Sequence, residues 1–445
     1  MNGLLTDLYE LTMAAGYFEA GKVREKATFE LWVRRLPPNR GYLIAAGLHN
    51  AVDYLLNLSF TSEDIDYLRG LPQLQRASPA FFDYLANLRF TGDLFAMPEG
   101  TPVFHSEPIL TVRAPLIEAQ IAETYLLSAI AFETLIASKA ARVVEAAAGR
   151  PVVEFGTRRA HSPQAGTLGA RAAYIGGCVG TSNTLTGRLY NIPVYGTAAH
   201  SWTLAFGDER EAFRRLQQLL GPSTIYLIDT FDTIEGARRA VSLGQPLWGV
   251  RLDSGNLVEL SRAVRRILDD AGMREAKIMA TGDLNELKIL ELTAAAAPID
   301  AYGVGTELAT SADAPALPAV YKLVELEIEG VKRYTAKFSE EKATMPGAKQ
   351  VFRYPDHDLI GCSWECHDCD TGTVEALLRP VIVNGRLVEP LPDASAARSR
   401  ALQMLGRLPA ACRTLFHAES WPVEYSLEQK RLLEQVRRSL EVSPA

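Results

Sequence analysis

The sequence predicts an α/β protein in which a parallel sheet curls into a (β/α) barrel beside a second α/β (α+β) domain built from the N- and C-terminal segments. Three observations lead there. From residue 151 onward, short runs rich in Val and Ile alternate with amphipathic segments, the pattern of successive βα units. These runs recur at roughly 18 to 31 residues, enough for a strand, a crossover helix and two loops. Outside that region the pattern changes to alternating strand-like runs and Ala-rich helical stretches, giving expected segments 1–130, 131–318 and 319–445.

Taken in order, residues 1 to 22 read as a helix after Thr6, an expected N-cap, with Asp7 and Tyr9 in its first turn. ATFELWV at 27–33 alternates as a strand, further short strands are expected within 102–112, and 116–148 reads as two long helices. The βα region then offers seven strands: 151–156, 173–179, 192–198, 224–229, 247–253, 277–281 and 301–304. Beyond residue 318, VYKLVELEIEG and KRYTAKFS are strand-like, and an amphipathic helix is expected near 426–439.

With 445 residues, 47% hydrophobic and 22% charged, the chain can bury a large core. Its net charge of -7 gives no general attraction to nucleic acid or anionic membranes, so an anionic small-molecule substrate must be held by local basic groups. The N-terminal apolar stretch contains Asp7 and Glu10 and lacks a basic lead, unlike a signal peptide. No run of about 18 apolar residues occurs, so no membrane span is expected. An odd count of five cysteines fits a reducing compartment, and a cytoplasmic location is the expectation.

The polar and glycine-rich clusters between 150 and 306 fall at the C-terminal ends of these strands, where barrel active sites are built. In EFGTRRAHSPQAG, Phe155 and Arg158 combine a ring for stacking with a guanidinium for carboxylate or phosphate, the alternative being a core Phe beside a surface Arg. Gly180, Thr181 and Ser182 in VGTSNTLTG can face an anion at a helix start, or simply cap that helix. YGTAAHSW sets His200 beyond a strand with Thr197 behind it; a neutral imidazole there can act as base, metal ligand, phosphate acceptor or structural group.

LIDTFDT and VRLDSGN contribute Asp229, Arg251 and Asp253. Side chains two apart share a strand face, so Arg251 and Asp253 point into one space, either as an ion pair or as a site for a sugar phosphate. ATGDLNE and YGVGTEL place Gly282, Asp283, Gly303, Gly305 and Thr306 at the last two strand ends, where glycines admit phosphate oxygens to backbone N–H groups or merely form turns.

In that order, TDLYELTMAAGYF, FELWVRRLPPNRGYLIAAGL, EFGTRRAHSPQAG, GTAAHSW, RLDSGNL, YGVGTEL and KFSEEKATMPGAKQVFRY resemble the nicotinate phosphoribosyltransferases, relatives of nicotinamide phosphoribosyltransferase and of the type II phosphoribosyltransferases. The resemblance implies a two-domain subunit, an incomplete (β/α) barrel beside an α/β domain made from both chain ends, and a homodimer with active sites at the subunit interface. Tyr9 of one subunit would sandwich the pyridine ring against Phe155 of the other. Arg158, Thr197 and Arg251 would surround nicotinate and the oxygens of phosphoribosyl pyrophosphate (PRPP), Asp253 the ribose, and Gly282, Gly303, Gly305 and Thr306 the 5-phosphate. It further implies ATP as co-substrate with transient phosphorylation of His200, and Mg2+ accompanying the phosphates. Relatives preferring nicotinamide carry an Asp at the position of Ser182, and that carboxylate would repel the carboxylate of nicotinate.

Other readings are kept open: quinolinate or nicotinamide as the base, or a non-catalytic nucleotide-binding regulatory protein on the same fold. Cys362, Cys366 and Cys369 in CSWECHDC have metal-like spacing, with His367 as the nearest fourth ligand for zinc. With only three clustered cysteines, free thiols are the preferred reading.

Overall fold

The computed structural model describes residues 3–338, 344–367 and 372–442. ATFELWV belongs to the strand Lys26–Val33, which is buried along nearly its whole length because it pairs antiparallel on both edges, with Ala319–Ile328 and with Pro108–Pro115. The alternation in its sequence therefore marks two buried faces. Glu30 on one of them is matched by Lys349, whose Nζ lies 2.7 Å from Glu30 Oε2. The full antiparallel sheet has seven strands and includes Asp93–Ala96, Val331–Tyr334 and Arg379–Val383, so both ends of the chain share it.

A second, parallel sheet carries the βα region. Its order is Gly180–Thr181, Val152–Glu154, Ala301–Val304, Lys277–Ala280, Gly249–Leu252 and Ile225–Leu227. The first strand in sequence thus lies between the second and the last, and every pairing is parallel. All the strand C-termini consequently open on one side.

Several expected elements differ. Residues 173–175 end the helix Pro163–Ile175, and the strand begins only at Gly180. An unbroken apolar run fits a buried helix as well as a buried strand, and here the helix wins because its end packs directly on the long helix Glu123–Ala146. Gly176 is needed at that contact, since a Cβ would overlap the Ala137 carbonyl. Residues 192–198 supply a single bridge, Thr181 to Val194, so the sheet has six strands rather than seven. The segment 116–148 forms one short helix, Leu116–Ile121, and one of 24 residues, Glu123–Ala146. The first helix is Leu8–Glu19 with Asp7 at its N-cap; the Thr6 hydroxyl bonds the Glu10 carboxylate instead.

Two apolar cores result, one under the antiparallel sheet and one around the parallel sheet. The 24-residue helix enters both: Leu126 and Ile130 pack in the first, Ile136, Ala137, Ala140 and Val143 in the second. No helix among the described residues is long and apolar enough to cross a membrane.

Candidate active site

A cavity of about 620 Å3 opens at the C-terminal edge of the parallel sheet. Its wall is contributed by the ends of strands far apart in sequence, as the shared direction of a parallel sheet requires. Phe155, Arg158, Ser182, Thr197, His200, Arg251, Asp253, Gly282, Asp283, Gly303, Gly305 and Thr306 all line it.

At its centre stands Arg251. Its Nη2 is 2.9 Å from Asp253 Oδ1, its Nε donates to Thr281 Oγ1 at 2.9 Å, and its Nη1 donates to the Thr197 hydroxyl and to the Ala198 carbonyl. The Thr281 hydroxyl in turn donates to Asp253 Oδ1. Burial pushes the Asp253 carboxyl upward, but the Thr281 and Arg251 hydrogen bonds outweigh it and hold the group below the usual aspartate range. Asp253 is therefore an anion at neutral pH, with Oδ2 lying 3.9 Å from His200 Nε2. The other imidazole nitrogen, Nδ1, is 3.2 Å from Thr230 Oγ1.

Phe155 leaves the strand Val152–Glu154 and is fixed by its N–H donating to the Val304 carbonyl at 2.8 Å. Its ring occupies the space where residue 303 would carry a side chain, since a Cβ on Gly303 would stand 2.6 Å from the ring. Arg158 and Arg159 follow on a short turn, exposed, with no ion-pair partner among the described residues. Two free guanidinium groups beside an aromatic ring suit a flat anionic ligand. Beyond the strand Lys277–Ala280, Gly282 adopts φ +88°, and a Cβ there would overlap the Asp253 carbonyl, so this loop requires glycine.

Four expected residues do not line the cavity. Gly180 instead packs against residues 193 and 195, where a Cβ would overlap the Pro193 carbonyl and the Tyr195 ring. Thr181 is buried, and its hydroxyl donates to Glu154 Oε2 and accepts from the Asn183 N–H. Asp229 sits behind Asp253, accepting from the Asp253 N–H at 3.0 Å and the Ser254 hydroxyl at 2.6 Å. Tyr9 lies 46% exposed on the first helix, outside the cavity wall of its own chain.

Conversely, Thr281, Arg159, Gly196, Ala198 and Ala199 line the wall without having been singled out as site residues. The sequence signal for Thr281 is its place at the end of the expected strand 277–281, directly before Gly282; the register, with Met279 opposite Arg251, sets it beside Asp253.

The match to known families decides what this cavity belongs to. Residues 4–131 match the nicotinate phosphoribosyltransferase N-terminal domain and residues 151–353 the nicotinate phosphoribosyltransferase family. The chain belongs to the nicotinate phosphoribosyltransferase family. It is 44% identical to nicotinate phosphoribosyltransferase pncB2 of Mycobacterium tuberculosis, over 96% of this chain and 92% of that one. The nicotinate phosphoribosyltransferase of Bacillus subtilis is 45% identical over 79% of this chain and 72% of its own. The human nicotinic acid phosphoribosyltransferase structure superposes with a TM-score of 0.83 at 27% identity, covering 97% of this chain and 99% of that one.

Metal fit is limited. Among the described residues no group of three or more His, Cys, Asp or Glu could hold a metal ion. Asp253 and Asp283 are the carboxylates on the cavity wall, which suits a Mg2+ that arrives on substrate phosphates and keeps few protein ligands. In the cysteine cluster, Cys369 lies outside the described residues. Cys362 is buried, and its thiol donates to Gln429 Oε1 at 3.3 Å.

Proposed function

We propose that this chain, as a nicotinate phosphoribosyltransferase, joins nicotinate to PRPP in the cavity at the sheet edge, forming nicotinate mononucleotide and releasing pyrophosphate. The supporting observation is the convergence of Phe155, free Arg158 and Arg159, the Arg251–Asp253–Thr281 cluster and the 282–283 and 303–306 loops on one space. We read the parallel sheet as a (β/α) barrel left open between Val194 and the strand Ile225–Leu227, with 131–318 as barrel and 1–130 with 319–445 as the second domain. A cytoplasmic homodimer with shared sites completes the reading, Tyr9 of each subunit closing the cavity of the other.

Nicotinate's ring stacks on Phe155 while its carboxylate meets Arg158 and Arg159, directing the pyridine nitrogen toward the ribose. Asp253 accepts from the ribose hydroxyls, and its negative charge faces the positive charge that builds on the sugar as the bond to pyrophosphate breaks. The nitrogen lone pair forms the new bond to the anomeric carbon, and the departing electrons leave with pyrophosphate. Magnesium, when bound, neutralises charge on that leaving group. No ribosyl-enzyme intermediate is needed, because the two substrates are held in line.

His200 takes the terminal phosphoryl of ATP and passes it to water, giving ADP and phosphate in each cycle. Thr230 fixes the ring through Nδ1, so Nε2 is the nitrogen next to Asp253. Ser182, which lines the same cavity, leaves nicotinate's carboxylate unopposed where an aspartate would repel it.

Quinolinate is the weaker reading: a second carboxylate calls for a denser cluster of cations than Arg158, Arg159 and an Arg251 already bonded to Asp253, Thr281 and Thr197. Incubating the protein with PRPP, Mg2+ and nicotinate, nicotinamide or quinolinate in parallel, with and without ATP, tests the reading. Nicotinate should be consumed, faster with ATP. Turnover of nicotinamide alone would refute the base assignment, and binding without product would point to a regulatory protein.

A further inference from the structure

The loops 282–283 and 303–306 are built on different strands, yet both are tied from behind to one side chain. Lys139, on the 24-residue helix, is 1% exposed. Its Nζ lies 2.6 Å from Glu286 Oε2 and 2.7 Å from Asp313 Oδ1. Glu286 opens the helix Glu286–Ala294, three residues beyond the cavity-lining Asp283. Asp313 follows the turn of helix Thr306–Ala309, whose first residue also lines the cavity. Neither carboxylate lines the cavity itself.

The tie is reinforced on each side. Arg142, one turn along the same helix, donates from Nε to Glu286 Oε1 at 3.2 Å, and Arg40 donates from Nη2 to both oxygens of Asp313 at 3.1 Å. Burial pushes the Asp313 carboxyl up, but Arg40 and Lys139 outweigh it and bring it to about 2. Neighbours of Lys139 on the helix, such as Ile136, Ala140 and Val143, hold it to the barrel core by apolar packing alone. Apolar packing is non-directional, whereas a shared ammonium fixes two carboxylates within hydrogen-bond distance of one atom. A buried ammonium is costly unless paired, so its use here points to position rather than to adhesion.

We propose that Lys139 is a positioning residue for PRPP: its ammonium clamps Glu286 to Asp313 and thereby fixes the spacing of the two loops that receive the 5-phosphate. The inference rests on the reading of those loops as the phosphate site. A displacement of about 1 Å at such a site can cost on the order of a hundredfold, so a clamp behind the loops has kinetic consequences without touching substrate.

The test uses Lys139→Met combined with Glu286→Gln, which keeps volume and removes one charge of each sign. Asp313→Asn, at a side chain 37% exposed, serves as a milder second variant. Lys139→Arg is the conservative control. Calorimetry with PRPP, steady-state kinetics in each substrate and amide exchange are read together.

PRPP affinity and its KM should weaken roughly tenfold or more in the double variant and several-fold in Asp313→Asn, with the nicotinate KM within about twofold. Exchange should quicken at 282–286 and 306–313, and Lys139→Arg should restore most of the affinity. Wild-type PRPP affinity in Asp313→Asn and in a folded double variant overturns the proposal. So does an equal loss for both substrates with exchange raised throughout. If PRPP protects amides of the wild-type protein elsewhere than 282–286 and 303–306, the phosphate-site reading falls and takes the clamp with it; protection there with indifferent variants removes the clamp alone.

Discussion

Replacing Thr281 with valine removes one hydroxyl and almost no volume. That hydroxyl accepts from Arg251 Nε at 2.9 Å and donates to Asp253 Oδ1, so its loss takes one hydrogen bond from each of two charged groups. A hydrogen bond to a charged group contributes about 1.5–3 kcal/mol. The Asp253 side chain is 30% exposed and water can replace part of its loss, whereas Arg251 is 12% exposed and has less recourse. Counting one bond of the two gives about 1.5–3 kcal/mol, a fall of roughly 10- to 150-fold in kcat/KM for PRPP. The sign of a second effect also follows. The Thr281 bond lowers the Asp253 carboxyl, so without it the carboxyl moves up and the acid limb of the pH–rate profile shifts to higher pH. Thr281→Ser keeps the hydroxyl and should stay within about threefold of wild type. Nicotinate mononucleotide formation with PRPP varied, across pH, alongside thermal melting, provides the assay. A folded Thr281→Val enzyme within about twofold of wild type, with an unmoved acid limb, would refute the account of Arg251 and Asp253 as one unit.

His200→Ala should abolish stimulation by ATP while calorimetry still detects PRPP binding; unchanged stimulation would remove the phosphoryl role. Mixing Tyr9→Ala and Phe155→Ala subunits should restore about a quarter of wild-type activity, because half the dimers then hold one intact site; no recovery on mixing would argue against a site shared between subunits. Glu133 is buried, and burial, only partly offset by Arg171, raises its carboxyl from 4.5 to about 7. The folded state therefore keeps a proton that the unfolded chain has released, and stability falls as pH rises from 4.5 to about 7. Glu133→Gln should flatten that fall by up to about 3 kcal/mol in denaturant titrations between about pH 5 and 8; parallel curves for the two proteins would count against it.

The strand ends were legible in sequence because each βα unit writes its own signal locally: a β-branched run followed by a polar or glycine cluster. Residues 301–304 form the expected strand, and Arg251 with Asp253 share a face as their spacing requires. The segment 173–179 was misread because Ala173, Tyr174 and Ile175 form an apolar run without a period, and only packing against the helix Glu123–Ala146 selects the helix. Thr181 looked like a ligand hydroxyl, yet its partner is Glu154, a carboxylate buried at the neighbouring strand end. Lys139 was invisible for a stronger reason. Its partners lie at 286 and 313, and no local pattern announces a pairing across such separations.

Whether these strand ends hold both products is decided by a crystal structure of the dimer with nicotinate mononucleotide and pyrophosphate. The pyridine ring should lie against Phe155 with its carboxylate on Arg158 or Arg159, the ribose hydroxyls on Asp253, and the 5-phosphate at residues 282–283 and 303–306. A nucleotide bound away from the C-terminal edge of the parallel sheet, with Phe155 and Asp253 untouched, would contradict that placement.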